Sequence, residues 1–111
     1  MKLRTKVYNR LLQDNEVVAE LPASNELHKR WVAIYPELIE TDSSKNQLKF
    51  VLIDFELEKY FIDNDLDFGE EDKRNKKEFY LNTEEELYKK LEELKINPEL
   101  FDSPWKCDYP C

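Results

Sequence analysis

The sequence predicts an α+β fold in which an antiparallel sheet of about four strands carries two helices, in the order β-β-α-β-β-α. Three observations predict it: segments with alternating apolar residues, segments with apolar residues at helical spacing, and turn-forming residues between them. The chain has 111 residues, of which 41% are hydrophobic, so residues 1–111 suit a single globular domain. Elements in this order favour a sheet with its helices on one face.

The first segment of the chain predicts a β-hairpin. Residues 3–12 alternate between apolar and basic side chains, which is typical of a strand, and residues 16–21 return as a second strand. The turn between them contains Asn15, which tolerates the left-handed backbone conformation that a glycine would otherwise supply.

Apolar residues at helical spacing predict the first helix. Ser24 is a favourable N-cap, and Pro36 disfavours helical geometry at the residue before it, which ends or kinks the helix. Three apolar residues between them lie four and three apart: Leu27, Trp31 and Ile34. The polar residues 41–46 are then predicted to form a loop.

The most apolar stretch, residues 47–61, predicts a long strand, because apolar residues alternate from Val51 to Leu57. A helix over the same residues remains an alternative, since Phe50, Ile53 and Leu57 also recur at helical spacing. A further short strand is predicted over residues 77–81.

The last helix has the clearest signals. Thr83 is predicted as its N-cap, Glu86 completes a capping box, and residues 97–98 (Asn-Pro) end it. The predicted buried stripe consists of three leucines: Leu87, Leu91 and Leu94.

The charge of the chain is acidic and unevenly distributed. The net charge is −8, and residues 63–111 hold 8 basic and 15 acidic side chains, a net −7. An acidic protein repels nucleic acid and anionic membranes and attracts basic partners, so neither nucleic acid nor a membrane is an expected partner. The start of the chain has no apolar run behind its basic residues, and two cysteines are too few for a secreted disulfide framework. The sequence therefore predicts a cytoplasmic protein.

Few residues are suited to catalysis. His28 is the only histidine, so a nucleophilic triad or a zinc site lacks ligands, and nothing in the sequence places His28 beside a cysteine. Cys107 and Cys111 could form a small disulfide or supply two metal ligands, although two thiols are the expectation in a reducing compartment. Glu56 and Glu58 resemble a general acid/base pair, which would also need a pocket. No catalytic residue, cofactor or metal is therefore predicted, and the protein is not expected to be an enzyme.

Residues 63–69 resemble the opening of a calcium-binding loop. Asp63, Asp65 and Asp67 occupy relative positions 1, 3 and 5. The glycine comes one residue late, however, and position 12 is Arg74 where the loop needs a glutamate. A solvated acidic loop is therefore favoured over a calcium site.

Residues 63–72, termed here the acidic segment, predict a partner-binding site. Six of its residues supply negative charge: Asp63, Asp65, Asp67, Glu70, Glu71 and Asp72. Phe68 and Trp105 are predicted to provide apolar contact, because aromatic anchors often dominate binding energy while charges steer encounter. The alternative is a loop whose charge is softened by the basic residues that follow it: Lys73, Arg74, Lys76 and Lys77.

Four features of the chain together resemble a known class of proteins. They are its small size, its acidic charge, the scarcity of catalytic residue types and the aromatic tail over residues 101–111 (FDSPWKCDYPC). They resemble the small acidic immunity proteins encoded beside bacterial polymorphic toxins, including contact-dependent growth inhibition systems. The resemblance implies a protein that binds a cognate toxin, often a basic nuclease, and occludes its active site or substrate groove. An acidic adaptor that binds a basic protein segment is the alternative, and a small enzyme using carboxylates in a pocket is a third.

Overall fold

The computed structural model describes residues 2–40, 46–107 and 109. Its helices are α1 (Thr5–Leu12), α2 (Lys59–Asp63) and α3 (Glu84–Glu93), and its strands are β1 (Val17–Leu21), β2 (His28–Glu40), β3 (Asn46–Glu58) and β4 (Arg74–Leu81). Short 3-10 turns lie at Glu70–Asp72, Pro98–Leu100 and Pro104–Lys106. The strands form one antiparallel sheet in the order β1-β2-β3-β4. The α+β class and the four-stranded antiparallel sheet are confirmed, whereas the predicted element order and the helix count are wrong.

The long hairpin of β2 and β3 sets the shape of the molecule. Each strand has 13 residues, which at the usual rise gives a ribbon about 43 Å long. β1 pairs with β2 only as far as Ile34, and β4 pairs with β3 only from Phe50 onward, so the rest of the hairpin extends past its neighbours. The principal extents of 48 × 27 × 23 Å reflect this projection.

The first predicted strand, residues 3–12, is instead the helix α1. Val7 and Leu11 are buried on one side of it, and Leu3, just before the helix, is buried in the same cluster. Residues four apart share a face in a helix and also share a face in a strand, so the apolar spacing satisfied both periods. The chain turns after α1 at Asp14, which has a φ of 64°, and not at the predicted Asn15.

The first predicted helix, from Ser24 onward, is instead the strand β2. Trp31 and Ile34 are both fully buried, but they lie on opposite faces of the sheet. A strand covered on both faces shows no polar alternation, which removes the signal that separates a strand from a helix. Pro36 lies within β2 beyond the end of β1, where β3 is its only described neighbour, and an open strand edge tolerates proline. The predicted loop at 41–46 lies, apart from Asn46, outside the described residues.

The second half of the chain follows the prediction more closely. Residues 46–58 form the long strand β3, not the alternative helix, and α2 then begins at Lys59. In α3, Leu87 and Leu91 are fully buried and Leu94 is partly buried, as predicted. Thr83 Oγ1 accepts a hydrogen bond from the Glu86 N–H (3.1 Å), while the Glu86 carboxylate accepts one from the Asn82 N–H (2.6 Å), one residue earlier than a capping box requires.

Both faces of the sheet are covered. One face packs against α1 and α3 through a cluster that includes Phe50, Phe101, Leu11, Ile34 and Leu91. The other face carries a smaller cluster around Trp31 and Phe55, packed against α2 residues and the C-terminal segment. Of the two helices that were predicted to lie on one face, only α3 is a helix; α1, which was predicted as a strand, shares its face, and α2 lies on the opposite face.

The C-terminal segment closes the open side of β1. Val18 and Asp102 exchange two backbone hydrogen bonds of 2.9 Å, and Arg4 forms an ion pair with Asp102 at 2.8 Å. The Trp31 indole N–H donates to the Cys107 carbonyl at 2.9 Å. These bonds connect residues far apart in sequence and protect an edge that would otherwise be open to another strand. No helix within the described ranges is long and apolar enough to cross a membrane.

Candidate partner-binding surface

The acidic segment connects α2 to β4 along a well-defined path. After α2 the chain turns at Asp65, whose φ is 51°. The Asp65 N–H donates to the Ile62 carbonyl (3.2 Å) and the Leu66 N–H donates to the Phe61 carbonyl (2.8 Å). Asp63 is the last residue of α2, and Asp65 and Asp67 follow it. Backbone hydrogen bonds therefore fix the chain where these three acids lie.

Two of the six predicted acids hold the segment together. Glu70 forms ion pairs with Lys73 (3.0 Å) and Lys76 (2.5 Å). Hydrogen bonds from Lys76 and then Lys73 lower the pKa of Glu70 below its ordinary value. The Asp72 carboxylate accepts the Gly69 N–H at 2.8 Å. Charge compensation by the following lysines, the alternative account of this segment, therefore applies to Glu70.

The remaining four acids are Asp63, Asp65, Asp67 and Glu71, and all four are exposed. None of them forms an ion pair with any residue in the described part of the chain. The Glu71 side chain folds over Gly69, where a Cβ would stand 2.6 Å from Glu71 Oε2. Asp63, Asp65 and Asp67 thus supply negative charge at the end of α2 that the fold does not neutralise.

The two predicted aromatic contacts have different environments. Phe68 is partly buried in the smaller core cluster and packs edge-on against Phe61, with 6.5 Å between ring centroids. Trp105 is 68% exposed, and the Arg10 guanidinium of α1 lies 4.9 Å from its ring centroid. No ring contact joins Phe68 to Trp105 among the residues that the structure describes.

A groove beside the acidic segment was not predicted. It has a volume of about 400 Å³ and lies where β2 begins and β3 ends, between Leu27 and Tyr60. Leu27 is 75% exposed and Tyr60 is 63% exposed. The other lining residues are His28, Glu58, Lys59 and Asp63. We refer to it as the Leu27–Tyr60 groove.

The loop that carries Leu27 is connected to its surroundings by hydrogen bonds. The Leu27 N–H donates to Asn25 Oδ1 (2.9 Å), and the Leu27 carbonyl accepts the Lys59 N–H (2.8 Å). The Asn25 side chain also hydrogen-bonds His28 Nδ1 at 2.8 Å. The turn-forming residues from Pro22 to Asn25 indicate this loop in the sequence. The helical spacing of the apolar residues that follow them predicted a helix here instead.

A buried polar cluster lies at the other end of the same loop. Asp54 and Glu56 of β3 are only 6% and 4% exposed. Arg30 binds Asp54 through two hydrogen bonds of 2.9 and 2.7 Å. Glu56 accepts the Ser24 N–H at 2.5 Å and a hydrogen bond from the Asn75 amide. The cluster borders a cavity of about 300 Å³.

The hydrogen bonding of this cluster favours a structural role over acid–base chemistry. Burial raises the pKa of Glu56, but the hydrogen bonds from Ser24 and Asn75 outweigh that effect and leave the pKa below its ordinary value. A general acid that works near neutral pH needs a raised pKa, so Glu56 is poorly suited to donate a proton. The predicted partner in a carboxylate pair, Glu58, instead lies 3.7 Å from Arg74.

The calcium-like loop and the cysteines do not form a metal site within the described residues. Arg74, at position 12 of the calcium-like loop, belongs to β4. Cys107 Sγ lies 3.6 Å from the Pro104 carbonyl, whereas Cys111 lies outside the described residues. No group of three or more histidine, cysteine, aspartate or glutamate side chains within the described ranges is placed to hold a metal ion.

A further cavity lies at the C-terminal end of α3. It has a volume of about 650 Å³ and is bordered by Lys2, Tyr88, Glu92, Lys95, Ile96, Asn97 and Pro98. Its lining contains two lysines and one glutamate, so its charge is not negative like that around the Leu27–Tyr60 groove.

Comparison with protein-family models, with curated proteins and with solved structures gave no match. The function therefore has to be inferred from the residues of the chain itself.

Proposed function

We propose that this protein is an immunity protein, which binds a cognate basic toxin, of the nuclease kind, and occludes its active site or substrate groove. The observation that carries the proposal is the set of exposed carboxylates at Asp63, Asp65 and Asp67, which have no ion-pair partner in the described chain. Nucleases bind phosphates with lysine and arginine, so a surface of unpaired carboxylates can occupy the same basic groove. The protein would act in the cytoplasm as an inhibitor, and not as an enzyme.

The position of these carboxylates supports a role outside folding. A carboxylate near the C-terminal end of a helix meets the negative end of the helix dipole, which is unfavourable for stability. Asp63 ends α2, and Asp65 and Asp67 follow within four residues. Charges that bring the fold no stabilising contact are available for steering a basic partner at long range.

The first experiment tests inhibition directly. The product of each gene adjacent to this one is expressed in a bacterial host with and without this protein, and growth is recorded. We expect one neighbouring product to be toxic alone and harmless in co-expression, to co-purify with this protein, and to lose its nuclease activity at a 1:1 ratio in vitro. A toxic neighbour whose activity is unchanged by excess protein would contradict the proposal, as would the absence of any toxic neighbour.

A second experiment tests the acidic segment once the toxin is purified. The triple variant Asp63→Asn, Asp65→Asn, Asp67→Asn is expected to associate with the toxin at least tenfold more slowly at low salt, with a smaller change in dissociation rate. Screening at physiological ionic strength acts within about 8 Å, so the rate for the unmodified protein should fall steeply as salt rises.

The matched control removes the same charge elsewhere. Glu85, Glu92 and Glu99 are exposed and form no ion pair within the described residues, so replacing all three by glutamine changes the net charge by the same amount. Equal slowing by both triple variants would show that only net charge matters and would remove the acidic segment from the site. Trp105→Ala tests the predicted aromatic contact in the same assay, with a raised dissociation rate expected.

A further inference from the structure

We propose that the Leu27–Tyr60 groove is an anchor site that receives one apolar side chain from a basic segment of a partner protein. The inference deepens the proposed function and rests on it for the identity of the partner. It assigns the apolar contact to Leu27 and Tyr60, in addition to the aromatic residues predicted from the sequence.

The groove combines exposed apolar surface with a size suited to a side chain. Leu27 and Tyr60 border an open groove of about 400 Å³, near the lower end of the range for ligand clefts in proteins, which leaves room for one large apolar side chain. Both are large and mostly exposed, and Leu66, in the turn after α2, is exposed as well. Covering this surface removes apolar area from water, which is the main favourable contribution to association.

The backbone that carries Leu27 is hydrogen-bonded to the rest of the fold without a partner. Both backbone polar groups of Leu27 are hydrogen-bonded, to Asn25 and to Lys59. At the start of the loop, the Ser24 N–H is held by the buried Glu56 carboxylate. A partner that binds here does not have to order the loop first, and this lowers the entropic cost of binding.

The charge around the groove indicates a basic occupant. Lys59 and Asp63 both line the groove, and these two charges offset each other. The excess of negative charge comes from three further exposed acids that form no ion pair within the described residues: Glu26, which precedes Leu27, and Asp65 and Asp67, which follow Asp63 in the chain. Glu58 is offset by Arg74 at 3.7 Å, so its contribution is smaller. Lysine or arginine residues flanking an inserted apolar side chain would meet these carboxylates, whereas a nucleic acid or an anionic membrane would be repelled.

Other exposed aromatic residues lack this combination. Trp105 lies against Arg10 and precedes Lys106, so a basic segment would meet like charge there. Tyr80 borders a depression in which Lys89 and Lys90 are balanced by Glu86 and Glu93, so this depression has no net negative charge to attract a basic segment. Leu27 and Tyr60 therefore suit a basic segment better than either of these aromatic residues.

The test uses synthetic peptides and the whole protein, labelled with ¹⁵N. Three capped peptides are titrated and followed by NMR: Lys-Lys-Leu-Lys-Lys, Lys-Lys-Ser-Lys-Lys and Glu-Glu-Leu-Glu-Glu. We expect the leucine peptide to bind on the order of tenfold more tightly than the serine peptide, from partial burial of one leucine side chain. Chemical-shift changes should centre on Leu27 and Tyr60, and the glutamate peptide should not bind.

Variants of the protein locate the effect. The double variant Leu27→Ser, Tyr60→Ala should bind the leucine and serine peptides equally, whereas Leu100→Ser, at another half-exposed leucine, should retain the tenfold preference. All three substituted residues are exposed, so circular dichroism and thermal unfolding should match those of the unmodified protein. A preference that survives in the double variant, or shift changes centred elsewhere, would overturn the assignment. A dimer in sedimentation experiments that Leu27→Ser dissociates would assign the groove to a second copy of the chain and would also overturn it.

The outcome separates this inference from the proposed function. Loss of the leucine preference in the double variant supports the groove even if no neighbouring gene product is toxic, in which case only the immunity proposal fails. If the unmodified protein and the double variant inhibit a toxin equally well, the groove assignment is contradicted and the immunity proposal stands.

Discussion

Replacing Glu56 by glutamine should destabilise the protein at neutral pH and have little effect in acid. Glu56 is 4% exposed and receives hydrogen bonds from the Ser24 N–H and the Asn75 amide. Glutamine has nearly the same shape but no charge. It can still accept the hydrogen bond from Ser24, whereas its amide group would face the amide of Asn75.

The expected magnitude follows from these two hydrogen bonds. A hydrogen bond to a charged group contributes about 1.5–3 kcal/mol, and one between neutral groups about 0.5–1.5 kcal/mol. The Asn75 amide can turn to present its oxygen to the new NH2 group, so both bonds persist in neutral form, and their loss of charge costs about 2 kcal/mol before desolvation is considered. Glutamine is also cheaper to bury than a carboxylate, which returns part of that cost. We expect a net loss of about 1–2 kcal/mol in the free energy of unfolding at pH 7.

The pH dependence follows from the direction of the pKa shift. The folded protein holds the pKa of Glu56 below its ordinary value of 4.5, through the hydrogen bonds that outweigh burial. The ionised carboxylate therefore contributes stability that is fully present above the unfolded pKa and is lost as pH falls through the folded pKa. Other carboxylates with lowered pKa values, such as Asp102, are present in both proteins and cancel in the comparison.

Urea unfolding from pH 7 to pH 3 measures this difference. The free energy of unfolding of the unmodified protein minus that of Glu56→Gln should be positive at pH 7 and shrink toward zero below pH 4.5. Amide hydrogen exchange at Ser24 should be faster in the variant at pH 7, since that N–H loses its charged acceptor. A difference that stays constant over this pH range, or that grows in acid, would refute the assigned role of the carboxylate.

Other substitutions have simpler expectations. Leu91→Ala should cost about 2–5 kcal/mol of unfolding free energy, because Leu91 is fully buried between α3 and the sheet; a urea midpoint equal to that of the unmodified protein would exclude this position from the core. Phe68→Ala should lower thermal stability through lost packing against Phe61, whereas Trp105→Ala should change it little, and the reverse order in calorimetry would contradict the burial of the two rings. Chelators should leave the circular dichroism spectrum and toxin inhibition unchanged, since neither the calcium-like loop at residues 63–74 nor the cysteine pair supplies a complete ligand set; unfolding by a chelator would disprove this.

The candidate surface was predicted from the sequence only in part. The amino-acid sequence itself shows the concentration of acids at residues 63–72, and the structure places Asp63, Asp65 and Asp67 on the surface. Which acids are neutralised could not be read from the sequence, because Glu70 meets Lys76 only after the chain turns into β4. The Leu27–Tyr60 groove joins residues 33 positions apart through the end of the β2–β3 hairpin, so no local pattern indicates it.

The sequence by itself determined the elements whose signals are local: the long strand β3, the cap and leucine stripe of α3, the strand class of residues 17–21, and the α+β composition of the whole. Only the tertiary structure decided the state of residues 5–12 and 28–40. In α1 a four-residue spacing satisfies the helical and strand periods alike, and in β2 both faces are buried, so no polar face marks the alternation. In these segments the outcome depends on which surfaces the rest of the chain covers, which is a property of packing and not of the segment alone.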